Sequence, residues 1–215
     1  MINILIVLIL YALVFVGGEV AYRKFHMPFL FSRKLSHISG SIVSFLLPYF
    51  VSHFTAVGIG LLFTLVIFFS KKKNYFKSIH DKGCLSIGEV IYPLGIALSA
   101  FFIWPLSIIA YQGSCLVLGL SDGFAGYFGT KYGKKDYCIA KGRKTIEGTI
   151  IFYIFTVIIF LIYSFLYSSQ ISTLGVILVY VYALYITFIE ALFSGGWDNL
   201  IIPFTAGSAL LLIVS

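Results

Sequence analysis

The chain has 215 residues, of which 60% are hydrophobic and 11% are charged, and its mean hydropathy is +1.03. This composition excludes an ordinary soluble globular domain and indicates a protein of the lipid bilayer. The net charge of +7 does not indicate a nucleic-acid partner, because no basic domain interleaved with aromatic residues lies outside the apolar blocks.

Long uncharged blocks follow one another along the chain, and a helix needs roughly 20 apolar residues to cross the bilayer. The first block, Ile2 to Gly18, and the last, Leu200 to Ser215, each predict one span. Three longer blocks have the length of helical hairpins and are interrupted near their middles, at Pro48 and His53, at Trp104 and Pro105, and at Ser168 to Gln170. We therefore expect an all-α polytopic membrane protein of about eight spans, with seven as the alternative, forming one transmembrane domain over residues 1–215.

The positive charges predict the orientation of these spans. All 15 Lys and Arg lie in alternate connections, between spans one and two, three and four, and five and six. The intervening connections, near Val51, Trp104 and Ser169, carry none. Because Lys and Arg collect in cytoplasmic loops, we expect both termini outside the cell and the charged connections in the cytoplasm. Most of these basic residues are expected to orient the chain and contact anionic lipid.

Five of the eight acidic residues are expected to meet at the same cytoplasmic face: Glu89, Asp122, Glu147, Glu190 and Asp198. A carboxylate at bilayer depth is costly and is usually functional or paired. Helix capping and ion pairing explain any single one of them equally well. Their convergence beside a basic loop predicts a site for Mg²⁺ and a polyphosphate, because Mg²⁺ combines a few carboxylates with water and phosphate oxygens.

The connection between spans five and six contains the densest motif. Ala125, Gly129 and Gly133 recur at four-residue spacing, which gives a helix face without bulk; such a stripe more often packs helices than binds a ligand. A cation, a hydroxyl and a carboxylate then stand together at a helix start, where they can serve a phosphate and its metal: Lys144, Thr145 and Glu147. The chain has no GxxxxGK[ST] P-loop.

This segment resembles a motif shared by two groups of CTP-using membrane enzymes, the polyprenol kinases and the phosphatidate cytidylyltransferases. The matching positions are Asp122, Ala125, Gly129, Gly133, Lys144, Thr145, Glu147 and Gly148. Two further motifs resemble the kinases alone: Arg33-Lys34-Leu35-Ser36-His37, and Glu190 followed by Asp198-Asn199-Leu200-Ile201-Ile202-Pro203. The chain is therefore similar to the family of phytol kinases, dolichol kinases and CTP-dependent diacylglycerol kinases.

The resemblance implies transfer of the γ-phosphate of CTP to the hydroxyl of phytol, another polyprenol or diacylglycerol, with Mg²⁺ as cofactor. It implies Mg²⁺ ligands at Asp122, Glu147 and Asp198, and catalytic roles for these three acids, Lys144 and His37. It implies nucleotide contacts from Arg33, Lys34, Gly126, Gly129, Lys131, Gly133, Thr145 and Asn199. Whether His37, Glu89 and Glu190 are catalytic or structural, and the oligomeric state, stay open.

Two alternatives belong to other classes. A cytidylyltransferase would join CTP to a phosphorylated lipid, make a CDP-lipid and release pyrophosphate. A small transporter would place ionisable groups or broken helices at the membrane midplane and show internal repetition. The charges of this chain are instead predicted at one face, which disfavours the transporter.

Overall fold

The structure is a computed structural model that describes residues 2–73, 75, 78–79, 87–139, 142–168 and 172–214. Ser169, Gln170 and Ser215 lie outside these ranges, as do the basic residues Lys77, Lys82 and Lys141. Within the described ranges the helices are α1 (Ile2–Arg23), α2 (Phe29–Leu46), α3 (His53–Lys73), α4 (Gly88–Phe102), α5 (Ile108–Leu116), α6 (Asp122–Tyr132), α7 (Ile146–Tyr167), α8 (Thr173–Leu192) and α9 (Asp198–Ile213). Two strands, β1 (Asp136–Ile139) and β2 (Gly142–Thr145), precede α7.

Among the described residues, five helical segments are long and apolar enough to cross a bilayer: α1, α3, the rod Ile108–Tyr132 that joins α5 to α6, α7 and α8. Helices α4 and α9 are apolar but shorter. These segments confirm the all-α membrane fold expected from the composition, with one small hairpin as an addition. The number of spans and the orientation of the termini stay predictions.

The helices end near the breakers seen in the sequence. A 3₁₀ turn that contains Pro48 follows α2, and α4 ends just before Trp104 and Pro105. A further irregularity was not predicted: the π-helical turn Val117–Ser121 joins α5 to α6. Such turns occur mostly as single widened turns inside α-helices and frequently at functional sites. This one ends directly before Asp122.

The apolar core lies where α5 meets α4, α7 and α9. Tyr111, Phe152 and Phe160 are its largest fully buried side chains. Buried hydroxyls in the core pair with each other, as Ser99 Oγ and Ser114 Oγ do at 2.9 Å, because an unpaired hydroxyl in an apolar interior is costly. This packed half of the bundle supports the π-turn and α6 from behind.

Glycines let α2 lie directly on the π-turn and α6. Three of them share one helix face at spacings of four and three residues, and a Cβ on any of them would overlap α2. The overlaps would be Gly119 with Ser41 Cβ at 2.3 Å, Gly123 with Ile38 Cγ1 at 2.5 Å, and Gly126 with Lys34 Cε at 2.2 Å. This close approach brings the first turns of α2 to the start of α6.

The connection between α6 and α7 differs from the sequence expectation, which contains no strand. β1 pairs antiparallel with β2, so that Tyr137 lies opposite Lys144 and Asp136 lies opposite Thr145. Thr145 also caps α7, because its hydroxyl accepts a hydrogen bond from the Gly148 amide at 3.1 Å. The hairpin therefore fixes the position of Lys144 at the entrance to α7.

Candidate functional site

A cavity of about 850 Å³ begins among charged helix ends and continues between α1, α2, α3 and α4. We call its polar end the charged mouth, which is lined by Arg33, Lys34, His37, Glu89, Asp122, Lys144, Asp198 and Asn199. We call its other end the apolar chamber, whose walls include Val14, Leu47, Ala56, Phe63 and Ile96. Small-molecule sites have volumes of about 300–1,000 Å³ and combine apolar walls with a few polar groups. The cavity has the size and the two-part character of such a site.

Asp122, the first residue of α6, contacts two residues of α2. Its Oδ2 lies 2.8 Å from Lys34 Nζ, which also donates to the Asp122 carbonyl oxygen at 3.1 Å. His37 Nε2 lies 3.2 Å from the same Oδ2 and 3.0 Å from the carbonyl oxygen of Leu118 in the π-turn. Because a carbonyl oxygen only accepts hydrogen bonds, His37 donates from Nε2. The π-turn thus orients the imidazole beside Asp122.

Lys144 reaches the charged mouth from the end of β2. Its Nζ lies 2.5 Å from Glu190 Oε1 and 3.6 Å from Asp198 Oδ2, and it also donates to the backbone carbonyl of Glu190. Burial lowers the pKa of Lys144, but the carboxylates of Glu190, Asp198 and Asp122 outweigh burial, and the pKa lies above its ordinary value. Lys144 is therefore positively charged at neutral pH.

Three carboxylates from three helices meet at this point. Asp122, Glu190 and Asp198 each offer one oxygen, and these oxygens lie within 4.8 Å of one another. Lys34 pairs with Asp122, and Lys144 lies between Glu190 and Asp198. Glu190 Oε2 is buried and accepts no hydrogen bond from the part of the chain that the structure describes. Mg²⁺ prefers carboxylate oxygens, so the donor set and this unsatisfied oxygen fit a divalent cation.

The loop before α9 holds Asp198 at the mouth. Gly195 and Gly196 have φ angles of 70° and 104°, a region that favours glycine. A Cβ on Gly196 would lie 2.2 Å from Gly88 Cα at the start of α4. Asn199 stabilises the same contact, because its side-chain amide donates a hydrogen bond to the Gly88 carbonyl at 2.8 Å. The backbone amide of Asn199 donates to Asp198 Oδ1 at 3.1 Å. Asp198 and Asn199 are therefore held by α4 as well as by their own helix.

A second charged group lies beside the first on the cavity wall. Glu89, in the first turn of α4, has a side chain that is only 2% exposed. Its Oε1 lies 2.7 Å from Lys71 Nζ of α3, and its Oε2 lies 3.6 Å from Arg33 Nη2 of α2. Glu89 thus ties α2, α3 and α4 together where the mouth meets the chamber. These contacts favour a structural role for Glu89 that also sets the position of Arg33.

Comparison with known proteins finds a phytol kinase from Synechocystis sp. that is 28% identical to the chain over 199 residues. The aligned region covers 90% of this chain and 83% of the relative. The resemblance to the polyprenol and phytol kinase family is confirmed. No family model matches the chain, and no solved structure matches it significantly. The similarity extends over most of the chain.

The residues that carry the polyprenol and phytol kinase resemblance separate into two groups in space. One group meets at the charged mouth, although it comes from α2, α6, β2 and α9: Arg33, Lys34, His37, Asp122, Lys144, Asp198 and Asn199. These positions are up to 166 residues apart in the sequence (Arg33 to Asn199). The fold therefore assembles one site from all three motifs.

The other group packs helices. A Cβ on Gly129 would lie 2.6 Å from Thr145 Oγ1, and one on Gly133 would lie 2.5 Å from Thr145 Cγ2. Glu147, which the resemblance implies as a metal ligand, is not in the carboxylate group; backbone amides of Lys134 and Lys135 hydrogen-bond to it instead. These residues hold α6, the hairpin and α7 together.

Two implied nucleotide contacts lie beside the mouth. Gly126 and Lys131 line a smaller cavity of about 550 Å³, which shares Lys34 with the charged mouth. Lys131 is exposed, and its Nζ lies 3.2 Å from Tyr127 OH. The side chain of Lys34 thus stands between the two cavities.

The third member of the carboxylate group, Glu190, was left open by the sequence. Its signal was an acid in the last turn of the largely apolar α8. A buried acid in a membrane helix indicates a functional or paired group, but only the three-dimensional contact with Lys144 shows its neighbour. The sequence pattern favoured Glu147 as a metal ligand because Glu147 lies inside the motif between spans five and six.

Proposed function

We propose that the chain is a lipid kinase that transfers the γ-phosphate of CTP to the hydroxyl of a membrane lipid alcohol such as phytol, another polyprenol or diacylglycerol. The observation that carries this proposal is one cavity in which a carboxylate and lysine mouth continues into an apolar chamber. The mouth suits a polyphosphate and its metal, and the chamber suits a lipid tail. The phytol kinase relative supports the alcohol acceptor, and the choice of CTP rests on the family resemblance.

The reaction forms a bond between the alcohol oxygen and the γ-phosphorus and breaks the bond from that phosphorus to the bridging oxygen, so that CDP leaves. The hydroxyl proton needs an acceptor. Asp198 is proposed for this role because it lines the mouth and is more exposed than Asp122 or Glu190. His37 is proposed to orient the acceptor hydroxyl or a phosphate at the boundary between mouth and chamber.

Asp122 and Asp198 are proposed to hold Mg²⁺ together with Glu190, which takes the place that the sequence motif gives to Glu147. The metal, when bound, would neutralise phosphate charge during transfer. Lys34 and Lys144 are proposed to pair with phosphate oxygens, since phosphoryl transfer depends chiefly on positioning and charge neutralisation. The same ammonium groups lie 2.8 Å from Asp122 Oδ2 and 2.5 Å from Glu190 Oε1.

Arg33 and Asn199, on the rim of the mouth, are proposed as further nucleotide contacts. Gly126 and Lys131 are proposed to contact the nucleotide through the smaller cavity beside Lys34. Gly129 and Gly133 pack against Thr145, away from the residues that line the two cavities. We therefore propose that these three residues act by holding α6 and β2 in place.

Position-specific labelling of CTP tests the proposal. Purified protein in detergent is incubated with a polyprenol or diacylglycerol and with CTP that carries the label on either the γ- or the α-phosphate. We expect label from the γ-phosphate alone in the lipid, with CDP as the other product. Label from the α-phosphate in the lipid, obtained with a phosphorylated acceptor and with release of pyrophosphate, would instead identify a cytidylyltransferase.

The site is further proposed to face the cytoplasm, because the basic residues occupy alternate connections. Cysteine introduced at Lys72, at the end of α3, should be protected from a membrane-impermeant reagent in intact cells. Cysteine at Thr173, at the start of α8, should react. The reversed pattern would place the site on the outer face.

A further inference from the structure

The apolar chamber follows the helix axes rather than spreading between the helices. On α3 its wall is built by Ala56, Gly60, Phe63 and Ile67, whose spacings of four, three and four residues select a single helix face. On α2 and the 3₁₀ turn that follows it, the wall beyond His37 is built by Gly40, Ser44 and Leu47, at spacings of four and three residues. A space bounded by one stripe from each helix has the form of a channel.

The helix rise gives the depth of this channel. Leu47 lies ten residues after His37, and Ile67 lies eleven residues after Ala56. At about 1.5 Å per residue, both stretches correspond to roughly 15 Å. The stretches of the two helices that line the chamber therefore have nearly the same length.

The far end of the chamber is closed. Leu47 and Ala56 are each only 1% exposed. Tyr11 OH and Ser44 Oγ are joined by a hydrogen bond of 2.8 Å, and Tyr111 OH donates to the Ser44 carbonyl at 3.2 Å. We call this closed end the floor of the chamber. A bulky chain can extend past the floor only by displacing buried side chains and breaking these hydrogen bonds.

Aromatic rings close the side of the chamber between α1 and α3. The Tyr11 and Phe63 ring centroids are 4.8 Å apart, and those of Phe15 and Phe63 are 5.5 Å apart. Such ring contacts are favourable beyond the area that they bury. The channel offers no second apolar helix face that could line another hydrocarbon chain. Such a chain would have to pass out of the channel between the aromatic rings.

We propose that the chamber is a length gauge for a single-chain isoprenoid alcohol, with Ala56 and Leu47 as the residues that set the length. This inference rests on the proposed function, because it places the acceptor hydroxyl at the level of His37. An extended chain advances about 1.2 Å per bond, as the backbone does, so about 15 Å holds about a dozen bonds, or roughly three isoprene units of four chain bonds each. Much longer polyprenols and two-chain diacylglycerols fit less well.

The test compares alcohols within each protein variant. Wild-type protein should give its highest kcat/KM with an alcohol of about three isoprene units, at least tenfold above an alcohol of eleven units and above dioleoylglycerol. Ala56→Leu raises the floor, so the ratio of kcat/KM for the three-unit alcohol to that for the two-unit alcohol should fall about tenfold, as expected when methylene groups can no longer be buried. Leu47→Ala lowers the floor and should raise the relative rate of longer alcohols.

Gly58→Leu is the matched control. Gly58 lies on the exposed side of α3, where an added Cβ meets nothing within 4 Å, so this variant should keep the wild-type ratio. Because each ratio is taken within one variant, a loss of folded protein does not change it. Unaltered ratios in both Ala56→Leu and Leu47→Ala, or full activity of wild-type protein with diacylglycerol, would overturn the length gauge.

Failure of the proposed function gives a different result. If wild-type protein transfers phosphate to no lipid alcohol, the kinase proposal fails, and thermal stabilisation by the same alcohols then decides the gauge. The gauge predicts the greatest stabilisation by the three-unit alcohol in wild type and by a shorter alcohol in Ala56→Leu. The same order of stabilisation in both proteins would overturn it.

Discussion

The segment from Asp122 to Gly148 contains two regions that the sequence presents as one motif. One region, at Asp122 and Lys144, faces the cavity and meets side chains from α2, α8 and α9. The other, at Gly129 and Thr145, faces inward between α6 and α7. A motif can therefore mix residues that contact ligands with residues that only hold those ligand contacts in position, and the two classes should respond differently to substitution.

Asp122→Asn should have the largest effect. The change removes the negative charge next to Lys34 and takes one oxygen donor from the group of three carboxylates, while the shape of the side chain is kept. We expect phosphoryl transfer to fall about a thousandfold, within the range for positioned catalytic groups, with normal protein levels in the membrane. Turnover is measured at saturating Mg²⁺ and CTP.

Asp136→Asn is the control for that variant, because Asp136 is an exposed acid on the hairpin of the same connection. It should keep wild-type turnover. Equal turnover in Asp122→Asn and wild type would remove Asp122 from the site.

Lys144→Met should follow with a loss of about a hundredfold in kcat, the scale observed when one charge-stabilising donor is removed. Lys131→Met, four residues from Tyr127 on the exposed end of α6, should raise KM for CTP severalfold and leave kcat unchanged. Because Lys144→Met leaves Glu190 buried without its partner, the variant is also combined with Glu190→Gln, which removes that cost, and is measured at saturating Mg²⁺ beside Glu190→Gln alone. A kcat in the double variant equal to that of Glu190→Gln alone would show that Lys144 acts only as a structural partner.

Gly129→Ala probes the packing region. The new Cβ would lie 2.6 Å from Thr145 Oγ1 and 3.2 Å from Gly148 Cα, and overpacking of this kind costs about 1–3 kcal/mol. We expect a lower unfolding temperature in detergent with little change in kcat per folded molecule. Gly58→Ala, in open space, should leave the unfolding temperature unchanged. An undisturbed Gly129→Ala protein would show that α6 and α7 do not pack as closely as described.

Glu147→Gln should have the smallest effect on turnover. The Glu147 carboxylate accepts hydrogen bonds from the backbone amides of Lys134 and Lys135. The neutral side-chain amide oxygen of a glutamine can still accept those hydrogen bonds. We expect an unchanged Mg²⁺ dependence, whereas Glu190→Gln should require more Mg²⁺ for half-maximal rate. If the two variants exchange these phenotypes, the metal set follows the sequence motif and Glu190 is only the partner of Lys144.

Much of this arrangement could be read from the sequence. Long apolar blocks predicted the helical membrane fold, and Pro48 and Pro105 marked helix ends, because proline lacks the amide that a helix interior needs. The sequence also predicted that Asp122 and Asp198 lie at the same face of the membrane. These features depend on local composition and spacing, which a sequence displays directly.

Other features depend on contacts between distant segments. The choice between Glu147 and Glu190 depends on which side of α7 and α8 faces β2, and no periodicity encodes that. The π-turn before Asp122 is stabilised by the approach of α2 through Gly119 and Gly123, and the hairpin needs its two strands to pair. Local pattern could not supply these because each is fixed by tertiary packing.

Manganese binding tests the central claim, that the charged mouth holds a divalent cation between Asp122, Glu190 and Asp198, without relying on turnover. Electron paramagnetic resonance of Mn²⁺ titrated into purified protein measures the number of bound ions directly. We predict one site in wild type and in Asp136→Asn, and loss or marked weakening of that site in Asp122→Asn and Asp198→Asn. Equal Mn²⁺ binding by all four proteins would contradict the account.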